Sequence, residues 1–258
     1  MRSAARFYED LHEAEKSYSG GTYYYASLYS CNAFRDWISS WQGQSMRLID
    51  VGVGKGFFFR DFLNTIKAKW NIQPSRVTGL DLVRSSGNAF SEISPQFEFI
   101  EHDSDGNPLP FPDASFDFIS CNHVVEHVFD TEKLIREFRR ILSPNGLCII
   151  SVPNLAAWIN RVAFLFAGQP LGSELGTEKV TYGFWPTSLQ KRLEPFRPSG
   201  HIRDFTPRGL RDLTRHCGFE TVGWWPQSPG LLARLSKWSG RNIGILLRPA
   251  KTTSVSAS

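Results

Sequence analysis

Apolar and polar positions along the first part of the chain switch between two periods. Short continuous apolar runs, closed off by polar or turn residues, read as buried strands over residues 46–51, 76–80, 97–101, 116–121 and 147–152. Between them apolar residues recur at helical spacing. Phe58, Phe59, Phe62, Leu63 and Ile66 form one stripe, and Leu134, Ile135, Phe138, Ile141 and Leu142 form another. Residues 85–93 make a weaker helical segment, and Ser143-Pro144-Asn145-Gly146 reads as a helix stop and turn. Strands alternating with helices predict a parallel α/β sheet with right-handed crossovers. The alternation lapses over 153–205. It resumes at Thr206-Pro207, an N-cap and first-turn pair opening a helix that Gly218 ends. Residues 219–225 and 242–247 supply two closing strands, giving seven.

The expected fold is α/β, a Rossmann-like doubly wound and mainly parallel seven-stranded sheet over residues 46–248. An N-terminal helical lid (1–45) precedes it, with a polar helix over 5–17 and an aromatic run Tyr23-Tyr24-Tyr25. The insertion 153–205 reads as a substrate lid over the carboxyl edge of the sheet, and the Ser-rich end, 249–258, as a disordered tail.

Composition narrows the class. A chain of 258 residues that is 41% hydrophobic and 21% charged suits one sizeable soluble domain. Four cysteines without Cys-x-x-Cys spacing read as reduced thiols, which places the protein in the cytoplasm. The charged start excludes a signal peptide, and the longest apolar stretch, 155–167, is broken by Asn160 and Arg161, so no membrane span is expected. Charge is uneven. Residues 1–154 carry 15 basic and 19 acidic side chains, a net −4, while residues 155–258 carry 14 and 6, a net +8. This asymmetry fits an anionic substrate or surface met by the second part, or simply a solvated face.

Candidate chemistry sits where the first strand ends, in Asp50-Val51-Gly52-Val53-Gly54-Lys55-Gly56. Three alternate glycines let the backbone turn tightly and bring its N–H groups to a ligand. The spacing is not the Gly-x-Gly-x-x-Gly of dinucleotide binding, which disfavours NAD. Asp50 would repel a diphosphate but suits a ligand carrying an ammonium and a sulfonium, such as S-adenosylmethionine. Further groups follow at successive strand ends, where a doubly wound sheet binds ligands. Asp81 can accept two ribose hydroxyls, with Leu82 beside it for the adenine. Asp103 and Ser104 can meet the adenine edge, and Asn122 and His123 come next to the methionine part.

The glycine turn resembles motif I of the class I S-adenosylmethionine-dependent methyltransferases. Residues 109–117 (LPFPDASFD), the His123-Val124-Val125-Glu126-His127-Val128 element and the 142–146 turn resemble the small-molecule branch of that family. Ser151-Val152-Pro153-Asn154 and residues 201–207 are similar to bacterial members that act on glycans, lipids or secondary metabolites. The likeness departs at Val53, Lys55 and Asn145. It implies S-adenosyl-L-methionine as cofactor, held by Asp50, Gly52, Gly54, Gly56, Asp81, Leu82, Asp103, Ser104 and Asn122. The acceptor it implies is a hydroxyl of a small molecule, saccharide or lipid-linked compound.

A sulfonium-borne methyl is already activated, so the protein has to align the acceptor and remove its proton. His123 and His201 are the candidate bases, each with a plain structural alternative. His123, Glu126 and His127 fall at i, i+3 and i+4, a spacing compatible with a metal, but a structural Glu–His pair is preferred and no metal is expected. In the insertion Leu155, Ile159, Val162, Ala163 and Phe166 form one apolar face. Beyond it, Phe184, Trp185 and Phe196 stand beside Lys191, Arg192, Arg197 and Arg203, a lid suited to an amphipathic anionic acceptor and to peripheral membrane contact. No nucleic acid is expected as partner. The alternatives are a methyltransferase acting on RNA or protein, and a binding module without turnover.

Overall fold

The apolar runs become strands β1 (Ser45–Val51), β2 (Gln73–Asp81), β3 (Phe97–Glu101), β4 (Phe116–Asn122), β5 (Leu142–Pro153), β6 (Phe219–Pro226) and β7 (Asn242–Pro249) of the computed structural model. The structure is described for residues 26–41, 44–86, 88–184, 198–226 and 240–251. The seven strands form one sheet in the order β3-β2-β1-β4-β5-β7-β6. β1 to β5 run parallel, and β7 pairs antiparallel with both β5 and β6.

Period-two alternation sends neighbouring side chains to opposite faces, and each face has its own helices. The described helices are α1 (Ala26–Tyr29), α2 (Asn32–Ser39), α3 (Phe57–Trp70), α4 (Phe90–Ile93), α5 (Thr131–Ile141), α6 (Trp158–Leu165) and α7 (Pro207–His216). Ile49 and Ile119 pack with Leu134, Ile135, Phe138 and Ile141 of α5 and Leu210 of α7. Leu48 and Phe118 pack on the other face with Phe59, Phe62 and Ile66 of α3 and with Leu28, Phe34, Trp37 and Ile38. There the Phe62 and Phe118 rings stack at 4.9 Å. Truncating such a ring to alanine costs about 3–5 kcal/mol. The described part of the expected lid, 26–41, is thus a piece of this core. The predicted helix over 5–17, Tyr23 to Tyr25 and the residues 252–258 of the tail lie outside the described residues.

Three local expectations change. The Ser143–Gly146 turn lies inside β5: Phe116 faces Leu142 and Phe118 faces Leu147, so the intervening residues bulge out of the ladder. Leu142 therefore begins a strand instead of ending a helix. Of residues 85–93 only Phe90–Ile93 is helical, because Asn88 bonds Ser85 O and Phe90 N and forms a turn there. The third change is in α6. Its buried residues are Asn160 and Ala163, whereas Val162 and Phe166 of the predicted apolar stripe are exposed. Asn160 turns that face inward: its amide donates to Asn154 O and Leu171 O, both at 3.2 Å, and accepts from Leu171 N at 2.8 Å. The insertion leaves and rejoins the sheet at one place, where Asn154 bridges Phe205 and Leu155 N donates to Phe205 O at 2.8 Å. As predicted, Thr206 caps α7, accepting from Gly209 N at 3.1 Å with Pro207 opening the helix.

Candidate active site

Because β2, β1, β4 and β5 are parallel neighbours, their carboxyl ends share one rim, and the glycine turn stands near its middle. Gly52 N and Val53 N donate to Leu80 O at 2.7 and 3.2 Å, which ties the turn to β2. Gly54 N donates to Asp81 Oδ2 at 2.8 Å, while Asp81 Oδ1 accepts from Leu82 N at 2.7 Å. A carboxylate at the end of β2 therefore holds the turn open beside itself. Gly54 has φ +52°, and a Cβ built there would meet nothing within 4 Å, so backbone faces open space. At Gly52, φ +77°, a Cβ would lie 2.1 Å from Val124 Cγ2. Only glycine lets the turn lie against the loop that carries His123. Gly56, the third glycine, is the N-cap of α3.

The remaining sequence-derived candidates are placed around this turn. Asp50 is buried beneath it, 4% exposed, and accepts from Ser120 Oγ on β4 at 2.5 Å. Burial, opposed by that hydrogen bond and reinforced by the nearby Asp81 charge, pushes its carboxyl up to about 8. Asp103 is exposed on the loop after β3 and accepts from Asp105 N at 2.9 Å; Ser104 beside it is half-buried. Asn122 Oδ1 accepts from Ser151 Oγ at 2.8 Å, which orients it at the end of β4. The open backbone at Gly54, with the Asp81 carboxylate and the Asp50 carboxyl beside it, fits a ligand that brings a ribose diol and a positive charge to draw Asp50 into its ionised form.

His123 has φ +56°, uncommon for a residue other than glycine and a mark of local strain. Its Nδ1 lies 3.1 Å from Glu126 Oε1, and Glu126 is 0% exposed. Burial alone would raise the Glu126 carboxyl, but the hydrogen bond from His123 outweighs it and holds the group below its ordinary range. Nδ1–H therefore donates to a carboxylate, and that tautomer makes Nε2 the proton acceptor. His201 arrives from the insertion. Its Nδ1 donates to Gly172 O at 2.8 Å, and its Nε2 lies 3.1 Å from Ser199 Oγ and 4.0 Å from Glu126 Oε1. His127 donates to Gly200 O at 3.1 Å, and its ring lies 4.8 Å from that of His201. Burial, the largest influence, keeps the His127 imidazole below its usual pKa and so neutral near pH 7.

A cavity of about 340 Å³ opens beside the two histidines. His123 and His201 supply its imidazoles, Pro153, Ala157, Ile159 and Leu171 its apolar wall, and Asn160 and Arg241 polar groups. The structure brings His123 and His201 together on one cavity and sets the glycine turn, Asp81 and Asn122 along the neighbouring rim. It leaves Asp103 exposed on its loop. Arg241 and Asn242, at the start of β7, carried no sequence signal. Nor did Glu174, whose carboxylate accepts from Ser199 N and Oγ, Gly200 N and His201 N and so fixes the loop bearing His201. Asn160 did carry one, as a polar interruption of an apolar helix. Trp185, Lys191, Arg192, Phe196 and Arg197 lie outside the described residues.

Residues 24–223 match a family described as a methyltransferase domain. The demethylmenaquinone methyltransferase of Deinococcus radiodurans is 27% identical over 191 residues, 69% of this chain and 73% of that protein. A chain of the complex between the Haloferax volcanii Trm112 methyltransferase activator and a methyltransferase superposes with a TM-score of 0.56 at 13% identity, covering 97% of this chain and 100% of that one. The Burkholderia thailandensis 1,6-didemethyltoxoflavin-N1-methyltransferase, with 1,6-didemethyltoxoflavin and S-adenosylhomocysteine bound, gives 0.51 at 17% identity, covering 97% and 92%. At these identities the two structural likenesses speak for the fold.

Proposed function

We propose that this chain, which belongs to the methyltransferase domain family and is an S-adenosylmethionine-dependent methyltransferase, methylates a hydroxyl of a small molecule, saccharide or lipid-linked acceptor. One observation carries the reading: the His123 imidazole, at the end of β4, is oriented by the buried Glu126 carboxylate and lines an apolar cavity, with the glycine turn on the same rim of strand ends.

The bound cofactor supplies a methyl group on a sulfonium, already activated for transfer. What remains for the protein is alignment and proton removal, the latter worth typically 10²–10⁴-fold. Gly54 would present its backbone to the cofactor, while Gly52 and Gly56 let the turn pack on Val124 and on Phe90 and Ile93. Asp81 takes the ribose hydroxyls, Leu82 packs on the adenine, and Asp103 and Ser104 meet its edge, while Asn122 and Asp50 lie toward the methionine part. His123 takes the acceptor proton on Nε2, and Glu126 stabilises the imidazolium that forms. His201, held by Gly172 and Ser199, orients the acceptor from the same cavity.

A second reading has support in the Deinococcus relative, whose name describes methylation of demethylmenaquinone. If the acceptor is a phenol or quinol, the same deprotonation by His123 drives electron density onto a ring carbon, which would take the methyl as the carbon–sulfonium bond breaks; that carbon then loses its proton while the imidazolium returns one to the oxygen, restoring the aromatic ring.

Aqueous and lipid extracts of cells, each incubated with the protein and methyl-labelled cofactor, decide between these. The expected product bears the label on oxygen; label on nitrogen or carbon overturns the hydroxyl assignment. His123→Asn is expected to lower kcat by roughly 10²-fold or more and leave cofactor affinity unchanged. An unchanged kcat would remove His123 from the chemistry.

A further inference from the structure

Large apolar side chains are exposed on two segments that Arg203 links. Among the described residues there are nine, and all belong to the β4–α5 loop or to the 154–205 insertion. They include Phe129, 71% exposed, and Trp158, Phe164, Leu165 and Phe166, of which Leu165 is 82% exposed. Arg203 joins the two segments, donating to Phe129 O and to Thr131 Oγ1. Three consecutive exposed apolar residues are an error on an ordinary water-facing surface. Helix α6 shows what they adjoin. Its Asn160 and the preceding Ala157 line the cavity, while its C-terminal end turns Phe164, Leu165 and Phe166 outward. The helix is a thin wall with the acceptor cavity on one side and an apolar surface on the other.

We infer that this apolar surface, built on α6 and the Phe129 loop, seats on an anionic lipid bilayer and so holds the acceptor cavity one helix away from the membrane. The inference rests on the lipid-linked form of the acceptor proposed above. Charge selects the occupant: Arg161 stands exposed on α6 itself, and Arg203 ties the Phe129 loop to the insertion. Arg161 and Arg203 beside Trp158, Phe164, Leu165 and Phe129 suit an acidic headgroup layer over acyl chains. The cavity agrees, since its wall of Pro153, Ala157, Ile159 and Leu171 favours an apolar acceptor, which partitions into lipid. No described helix is long and apolar enough to cross a membrane, so the contact is with one leaflet.

The test is co-sedimentation of the full chain with vesicles of phosphatidylglycerol and phosphatidylcholine, for the wild type and for Phe164→Ser/Leu165→Ser/Phe166→Ser. These side chains are exposed, so the variant is expected to keep its melting temperature and cofactor affinity. The wild type is expected to partition to vesicles about tenfold or more better than the variant, and less when phosphatidylglycerol is left out or salt is raised. Lipids brominated on the acyl chain should quench tryptophan fluorescence, less so in Trp158→Phe. Wild type that stays in the supernatant, or a variant that sediments equally, overturns the inference. So does a dimer, lost in the variant, formed without vesicle binding; the surface then belongs to a second copy. Failure of the methyltransferase reading would show separately, in cofactor titration and in the His123→Asn kinetics, neither of which needs a vesicle.

Discussion

His201 reaches the cavity with both ring nitrogens engaged, Nδ1 on Gly172 O and Nε2 on Ser199 Oγ. This bears on the metal question. Glu126, His127 and His201 offer ligand atoms within 4.8 Å of one another, a donor set that a divalent cation can use. To enter, however, a cation would have to break the Ser199–His201 contact, although Glu126 Oε2, buried without a hydrogen-bond partner, leaves it one open oxygen. The chemistry proposed here needs the carboxylate on His123, so a chelator is expected to leave turnover unchanged. Activity that falls in chelator and returns with a single divalent ion would replace the His123–Glu126 pair with a metal centre. The site also shows how little a residue type alone reveals. The spacing of His123, Glu126 and His127 predicted a Glu–His pair without choosing between the histidines, and the hydrogen bond of Glu126 goes to His123.

At the scale of elements, the glycine turn and the insertion each depend on one residue. Gly54 is open to solvent at φ +52°, so Gly54→Val adds bulk only where a ligand would come. The strained conformation should cost about 1–2 kcal/mol of stability. Cofactor binding should be abolished, and calorimetric titration with unchanged affinity would remove the turn from the cofactor site. In the insertion the three hydrogen bonds of Asn160 stand where the helix stripe placed only a polar interruption. Asn160→Ala leaves buried backbone groups unpaired, at a cost of about 1–3 kcal/mol. Faster proteolysis within 155–184, with cofactor affinity spared, is the expected result, and a wild-type digestion rate would count against the anchoring role. The strands and long helices were legible because burial imposes its period on the sequence. The face α6 buries was not, because a buried amide satisfied by Asn154 and Leu171 reverses the usual preference, and that depends on where the chain returns.

For the whole molecule, Asp50 links stability to pH. Its carboxyl is held near 8 in the fold and falls to the ordinary carboxylate range on unfolding. The folded state therefore binds an extra proton between about pH 4 and pH 8, and stability is lost as pH rises through that window. Asp50→Asn removes the titration and can keep the Ser120 contact. Its melting temperature should gain on the wild type from pH 5 to pH 9, while affinity for the cationic cofactor falls. A gap that does not widen would mean that Asp50 is already ionised in the fold. The sequence by itself determined the sheet, its two helical layers, the glycine turn and the family, because each is encoded in a run of neighbouring residues whose spacing matches a strand, a helix or a tight turn. Only the tertiary structure decided the other half of the site. Glu126 meets His123 in a strained turn, and His201, 75 positions beyond Glu126, is carried to them by an insertion that Glu174 and Asn160 fasten. Such pairings depend on how a long loop closes over a rim, and loop closure leaves no period in the sequence.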